Sequence, residues 1–243
     1  MQVAPGVHRF THGISNFYLV EDAGKFILVD AGVAGDWKLF LRSVAALGRM
    51  PRDLTAILLT HAHSDHTGFA ERARSEQGAL VWVHEADSLV AKGGKQGRNE
   101  ARLRPYLRYA EAWRTLFGLL GHGGVNIVPI LEVSTFSDGQ TLDVPGRPQA
   151  VHVPGHTPGM AAVFLPQRRL LLTGDALVTR NPLTGRRGPQ IMPRGLNRDS
   201  QQALDSLTKV ENLSADLVLP GHGDPWTQGA ADAVQRARAA GFS

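Results

Sequence analysis

Thr60-His61-Ala62-His63-Ser64-Asp65-His66 places three imidazoles and a carboxylate within six consecutive positions. The apolar run before it, Thr55-Ala56-Ile57-Leu58-Leu59-Thr60, reads as a buried strand. Thr67-Gly68-Phe69-Ala70-Glu71-Arg72-Ala73 after it reads as a helix start. The cluster therefore falls on a strand-to-helix turn, where α/β folds build their sites. His61 and His63 are two residues apart, so an extended backbone points both the same way. Asp65 and His66 are adjacent, and a turn can aim them at a second point nearby. Imidazole suits zinc and other first-row transition metals, and a carboxylate adds neutralising charge. A histidine-rich surface tract is the plainer reading. It fits poorly with a single, non-repeating cluster set against a buried strand.

Before this stretch the chain reads as a β-meander, with strands over 7–12, 15–21 and 26–30 and a turn at Asp22-Ala23-Gly24-Lys25. A helix over 36–47 follows, with Asp36 as its N-cap and Gly48 as its stop. Asp30 ends a buried strand and is read either as a turn cap or as an acceptor behind the site. His8 and His12 read as strand or surface histidines. After the cluster come a helix over 65–77 and a strand over 79–84. His84 is assigned a structural role. Gly93-Gly94-Lys95-Gln96-Gly97-Arg98-Asn99 is linker-like. The helix after it carries Tyr106, Leu107, Ala110, Trp113, Leu116, Phe117 and Leu120 at helical spacing, with Pro105 in its first turn. Packing against the core or a second subunit explains that stripe best, and a lid over a site is the sharper alternative. His122 reads as a solvated loop residue.

The second half repeats the order, with strands over 132–136, 141–144, 149–153, 160–165 and 169–173. A polar loop covers 179–195. A helix capped by Asn197 or Asp199 ends near Leu213, a strand covers 216–219, and a helix runs from about Gln228. The shared order suggests two stacked halves. Three further ligand candidates, His156, Asp175 and His222, each lie just beyond an apolar strand in a loop bearing Gly or Pro.

These motifs carry a resemblance. The His-x-His-x-Asp-His cluster, Gly155-His156-Thr157-Pro158-Gly159, Gly174-Asp175 and Gly221-His222-Gly223 resemble the signatures of the metallo-β-lactamase superfamily, in its glyoxalase II and lactonase-like branches. The resemblance runs from about Val7 to His222. It implies one α/β domain over 1–243, a four-layer αβ/βα sandwich, with a helical insertion around 95–122. It also implies that His61, His63 and His156 bind one divalent metal, that Asp65, His66 and His222 bind a second, and that Asp175 bridges both. Zinc is the first choice, with manganese or iron possible. The implied chemistry is hydrolysis of an ester, lactone or thioester by a metal-activated hydroxide, with Asp65 moving the proton. A persulfide dioxygenase with a single iron, a phosphodiesterase and a metal-retaining binding protein stay open as alternatives. Antibiotic hydrolysis is disfavoured, because exported lactamases of the family generally lack an aspartate where Asp175 stands. Glyoxalase II proper adds a C-terminal helical region, whereas only about twenty residues follow His222 here.

The chain has no cysteine, which excludes disulfides, thiolate ligands and thiol nucleophiles. Composition is that of a soluble globular protein. No membrane-spanning run or signal peptide is visible, so a cytoplasmic location without a membrane partner is expected. The net charge of +4 is spread along the chain, with no dense basic and aromatic run, so a nucleic-acid partner is not expected. A small-molecule substrate is expected, and a homo-oligomer is compatible with the sequence. Arg186, Arg187 and Arg194, in the loop after Asp175, are candidate contacts for an anionic substrate group.

Overall fold

In the computed structural model, which describes residues 1–125 and 128–243, two sheets stack face to face with helices on both outer sides. The first half supplies β1 (Gln2–Ala4), β2 (Val7–Thr11), β3 (Asn16–Asp22), β4 (Lys25–Val29), α1 (Trp37–Ala46), β5 (Leu54–Leu58), α2 (Ser64–Thr67), α3 (Ala70–Gln77), β6 (Leu80–His84), α4 (Ser88–Ala91), α5 (Ala110–Gly121) and β7 (Ser134–Phe136). The second half supplies β8 (Gln149–His152), β9 (Ala161–Leu165), β10 (Leu170–Gly174), β11 (Val178–Arg180), β12 (Arg187–Gln190), α6 (Ser200–Ser206), α7 (Thr208–Glu211), β13 (Leu217–Pro220) and α8 (Gly229–Ala240). β1 to β7 form one sheet in chain order, antiparallel through β4 and parallel from β4 to β7. The other large sheet runs β13-β10-β9-β8, and β11 pairs with β12 in a separate hairpin.

Strand periodicity sorts the core into three layers. On β3 and β4, Phe17, Leu19, Phe26 and Leu28 face Phe40 and Val44 of α1 and Ala73 of α3. The alternate residues Tyr18, Val20, Ile27 and Val29 face Val163, Leu165, Leu170 and Leu172 of the other sheet. The far side of that sheet, with Phe164, Leu171 and Val218, packs on Leu207, Val210, Ala233 and Val234. Strands buried on both faces must be apolar throughout, so these runs do not alternate in the sequence. The arrangement is the four-layer αβ/βα sandwich.

The elements depart from the sequence reading in several places. The helix expected over 65–77 is two, α2 and α3, broken at Gly68, where a Cβ would lie 2.2 Å from the Val33 carbonyl carbon. The backbone of 32–33 packs there, and Gly68 N–H donates to Gly32 O at 2.8 Å. The expected strand over 141–144 is a single bridge, Thr141 to Gln149. The polar loop over 179–195 contains the β11–β12 hairpin. Finally, Pro105 starts a 3-10 turn over Arg104–Arg108, and α5 begins only at Ala110. Of the two candidate caps, Asp199 is the one used, its Oδ1 accepting from Gln202 N–H. No helix among the described residues is long and apolar enough to cross a membrane.

Candidate metal centre

All seven sequence candidates converge beyond the ends of β5, β8, β10 and β13. They form three overlapping groups: His61, His63 and His156; His61, His66 and Asp175; Asp65, His66 and His222. Within the first, His63 Nδ1 lies 3.0 Å from His61 Nε2 and 2.9 Å from His156 Nε2. Within the third, Asp65 Oδ2 lies 3.4 Å from His222 Nε2 and 3.6 Å from His66 Nε2. Asp175 stands between them. Its Oδ1 is 3.4 Å from His66 Nε2, and its Oδ2 is 3.5 Å from His156 Nε2 and 3.3 Å from His222 Nε2.

Supporting hydrogen bonds fix which ring nitrogen faces inward. His66 Nδ1 donates to Asp30 Oδ2 at 2.8 Å, His156 Nδ1 to Asn197 Oδ1 at 3.1 Å, and His222 Nδ1 to Ile14 O at 2.7 Å. Thr60 Oγ1 donates to Asp30 Oδ2 at 2.9 Å and accepts from His61 Nδ1 at 3.0 Å. Each of these four rings therefore turns its Nε2 to the centre. Asp30 also accepts from Thr60 N–H at 2.8 Å, so it acts as an acceptor behind the site rather than as a turn cap.

Backbone geometry makes room for this. Gly174 lies at φ +49°, and a Cβ there would meet Thr60 Oγ1 at 2.4 Å. A Cβ on Gly221 would sit 2.2 Å from Asp175 Oδ1 and 2.9 Å from His66 Cε1. Both glycines are set by the close approach of the two halves. Asn16 and Tyr18 hold the His222 loop from across the sheets, donating to Pro220 O at 2.9 and 2.7 Å.

The donor set fits divalent cations. His61 Nε2, His156 Nε2 and His63 Nδ1 share at most one hydrogen, on His63, so hydrogen bonds cannot satisfy the trio. Their separations compare with the ~3.3 Å between ligands that tetrahedral bonds of about 2.0–2.1 Å to zinc require. His66 Nε2 and Asp175 Oδ1 are buried without a hydrogen-bond partner. Burial pushes the trio away from protonation: His61 well below the usual imidazole range, His63 down to about 4 and His156 down to about 3. Around the other group burial is opposed by charge. It would lower His66 and His222, but Asp175 and Asp65 outweigh it and raise both, His222 to about 10. The same histidines outweigh the upward push of burial on Asp65 and Asp175 and hold both carboxyls low. Two carboxylates that draw protons onto two buried imidazoles are asking for positive charge, which a cation supplies as it displaces those protons.

The centre forms one wall of a cavity of about 320 Å³. Leu103, Tyr106, Leu107, Leu116 and Leu119 come from the helical segment, and Leu183, Met192 and Leu196 from the opposite side. A second cleft of about 320 Å³ holds Arg9, Arg180 and Arg187 with Glu111 and Asp224. Thr115 and Pro182 line both clefts, joined by a 2.6 Å hydrogen bond from Thr115 Oγ1 to Pro182 O.

Several residues land elsewhere than expected. The α5 stripe is not a core seam: Trp113, Phe117 and Leu120 are 43, 64 and 52% exposed, while Ala112, Leu116 and Leu119 face the cavity. Arg186 donates to Ala240 O at 3.1 Å, Arg194 pairs with Glu100 at 2.6 Å, and Arg187 lies in the second cleft. None of the three lines the cavity at the centre. The other histidines keep the structural and surface roles expected of them: His84 stacks on His152 at 3.9 Å, His8 packs beside Phe10, His12 pairs with Asp36, and His122 stays exposed. Sequence reasoning missed Asp87 and Asn197. Asp87 is buried and accepts from Ala62 N–H at 3.1 Å, Thr157 Oγ1 at 2.8 Å and Gly159 N–H at 2.7 Å, tying two ligand loops together. In the sequence it reads as an ordinary helix-start acid.

Known proteins resemble this chain over most of its length. Residues 10–222 match the profile of the metallo-beta-lactamase superfamily, and the chain belongs to that superfamily. It is 26% identical to the probable metallo-hydrolase YflN of Bacillus subtilis, over 93% of this chain and 87% of the relative. It is 28% identical to the hydroxyacylglutathione hydrolase GloC of Haemophilus influenzae, over 77% of each. Among solved structures, it is similar to the metallo-beta-lactamase family protein TTHA1429 of Thermus thermophilus. The TM-score is 0.67 and the identity 27%, covering 98% of this chain and 81% of that one.

Proposed function

We propose that this protein is a two-metal hydrolase that cleaves an ester, lactone or thioester bond of a small molecule. The observation that carries the proposal is the position of Asp175, whose two oxygens reach toward both nitrogen groups at once. His61, His63 and His156 would hold one ion, Asp65, His66 and His222 the other, and Asp175 both. Zinc suits this imidazole and carboxylate set. When bound, such ions supply an activated water and polarise the carbonyl under attack.

The protein's own groups do the rest. Asp65 presents a carboxylate at the centre, a group that can accept a proton from the activated water. Its Oδ2 faces the His66 and His222 imidazoles. Oδ1 is the atom we assign to taking the proton and passing it to the departing oxygen or sulfur. The apolar cavity wall excludes water from the reacting bond and strengthens these charge interactions. Similarity to metallo-hydrolases supports the reaction class, and GloC is by name a hydrolase of hydroxyacylglutathione, a thioester.

The test is metal analysis and a substrate screen on protein stripped and reloaded with zinc, manganese or iron. Two ions per chain and turnover of a lactone, thioester or simple ester are expected. One iron per chain with oxygen consumption, or turnover confined to phosphodiesters, would sink the proposal.

A further inference from the structure

We infer that the substrate is neutral and carries an apolar acyl chain of medium length, seated in the cavity between the helical segment and the 182–196 segment. The inference rests on the hydrolase reading and adds what that reading leaves open, the chemistry of the group next to the reacting bond. It stands on three observations.

The first is the wall. Leu103, Leu107, Leu116, Leu119, Leu183 and Met192 surround the cavity, and no lysine or arginine is among its lining residues. The only charged side chains there belong to the candidate metal ligands. Beyond the ions those ligands would hold, a carboxylate or phosphate at the far end of the acyl part would meet aliphatic carbon, with no cation from the protein to offset its desolvation.

The second is the state of the polar side chains. Ser64 Oγ donates to Gly124 O, Thr115 Oγ1 to Pro182 O and Tyr106 hydroxyl to Ser243 O. Gln96 and Asn99 amides donate to Ala62 O and Gly195 O. The hydroxyl hydrogens that would otherwise recognise a polar tail are committed to the protein's own backbone, as is one N–H of each amide. Those bonds shape the cavity.

The third is the arginines. Arg186 and Arg194 are bound to Ala240 O and Glu100, and Arg187 lies with Arg9 and Arg180 in the neighbouring cleft, which shares His222, Thr115 and Pro182 with this cavity. None of the three candidate arginines lines the cavity itself, so an anionic group seated there has no arginine to meet. Size completes the class. At about 30 Å³ for a water-sized group, a cavity of about 320 Å³ holds on the order of ten such groups, which suits a chain of about six to eight carbons behind the carbonyl.

The test uses zinc-loaded protein with p-nitrophenyl butyrate, hexanoate and octanoate and the anionic p-nitrophenyl hemisuccinate. Binding of two non-hydrolysable ketones, methyl heptyl ketone and levulinate, is followed by calorimetry. We expect kcat/KM to rise on the order of tenfold or more from butyrate to octanoate as methylenes are buried. The hemisuccinate should be turned over more slowly than butyrate, and the neutral ketone alone should bind. Leu116→Arg, at a half-exposed wall position, should erase the chain-length preference and favour the hemisuccinate, while Leu116→Met keeps the parent order. Hydrolysis that is flat in chain length, or that favours the hemisuccinate, overturns the inference and leaves the hydrolase reading intact. Tighter binding of levulinate than of the neutral ketone overturns it as well. Ketone binding without hydrolysis of any ester overturns the hydrolase reading and leaves the apolar preference standing.

Discussion

Asp30 is held in an unfavourable conformation to do one job. It is buried and lies at φ +63°, a left-handed conformation that costs most L-residues roughly 1–2 kcal/mol, and burial raises its carboxyl above the usual range against the pull of His66. What offsets this is a set of hydrogen bonds that orients two rings: directly to His66, and through Thr60 Oγ1 to His61. Aspartate and asparagine are the non-glycine residues that tolerate this backbone, so Asp30→Asn keeps the turn, removes the charge and sets an amide NH2 where one carboxylate oxygen accepted. Because groups behind a ligand typically contribute 10- to 100-fold in metal affinity, we expect Asp30→Asn to lower zinc affinity by about that factor. The metal-free melting temperature should fall as well, because His66 loses its charged partner. Competition with a chromogenic chelator measures the first and thermal unfolding the second. Unchanged affinity would show that the imidazoles are positioned without Asp30.

At the scale of elements, the centre is made by strand ends and held by the loops between them. The His61–His66 loop leaves β5, the His156 loop joins β8 to β9, and Asp87, which ends the turn after β6, grips both. Strand cores were legible because residues buried on both faces must be apolar whatever their partners, as in β4, β5, β9 and β10. The ligand loops were legible because histidine and aspartate beside glycine leave few other readings. What was not legible depends on contacts distant in sequence. Gly68 breaks the expected helix only because the 32–33 backbone packs on it. The α5 stripe has helical spacing whether it faces a core or a cavity, so periodicity alone assigned it to packing. Asp87 and Asn197 act through partners seventy and forty-one positions away, and no local pattern marks them. Asp87→Ala leaves two buried backbone N–H groups and a hydroxyl without an acceptor, at about 1–3 kcal/mol each. We therefore expect a fall in melting temperature on the order of 10 °C and faster hydrogen exchange at the Ala62 and Gly159 amides. An unchanged melting temperature would mean the loops are fixed independently of β6.

Across the whole molecule, each half of the fold supplies part of the centre: His61, His63, Asp65 and His66 from one, His156, Asp175 and His222 from the other. Ions bound there would join the two sheets at their shared edge, so metal occupancy and folding stability are linked. A ligand at about a hundredfold above its dissociation constant adds about 2.7 kcal/mol. In a chain of 243 residues that is a rise of about 5–10 °C in melting temperature. The pH dependence follows from the protons that stand in for the ions. In the metal-free fold, His66 and His222 have pKa values raised above the unfolded value of 6.5, His222 to about 10. Their contribution is complete below the unfolded value and is lost as pH rises toward the folded one. Metal-loaded protein has already released those protons, so it loses nothing in that window. The gap between the melting temperatures of zinc-loaded and chelator-stripped protein should therefore widen from about pH 7 to about pH 9, which scanning calorimetry on both forms measures directly. A gap that stays constant or narrows over that range would show that the cation does not replace protons on His66 and His222, and that the ligand assignment for the Asp65 side of the centre is wrong.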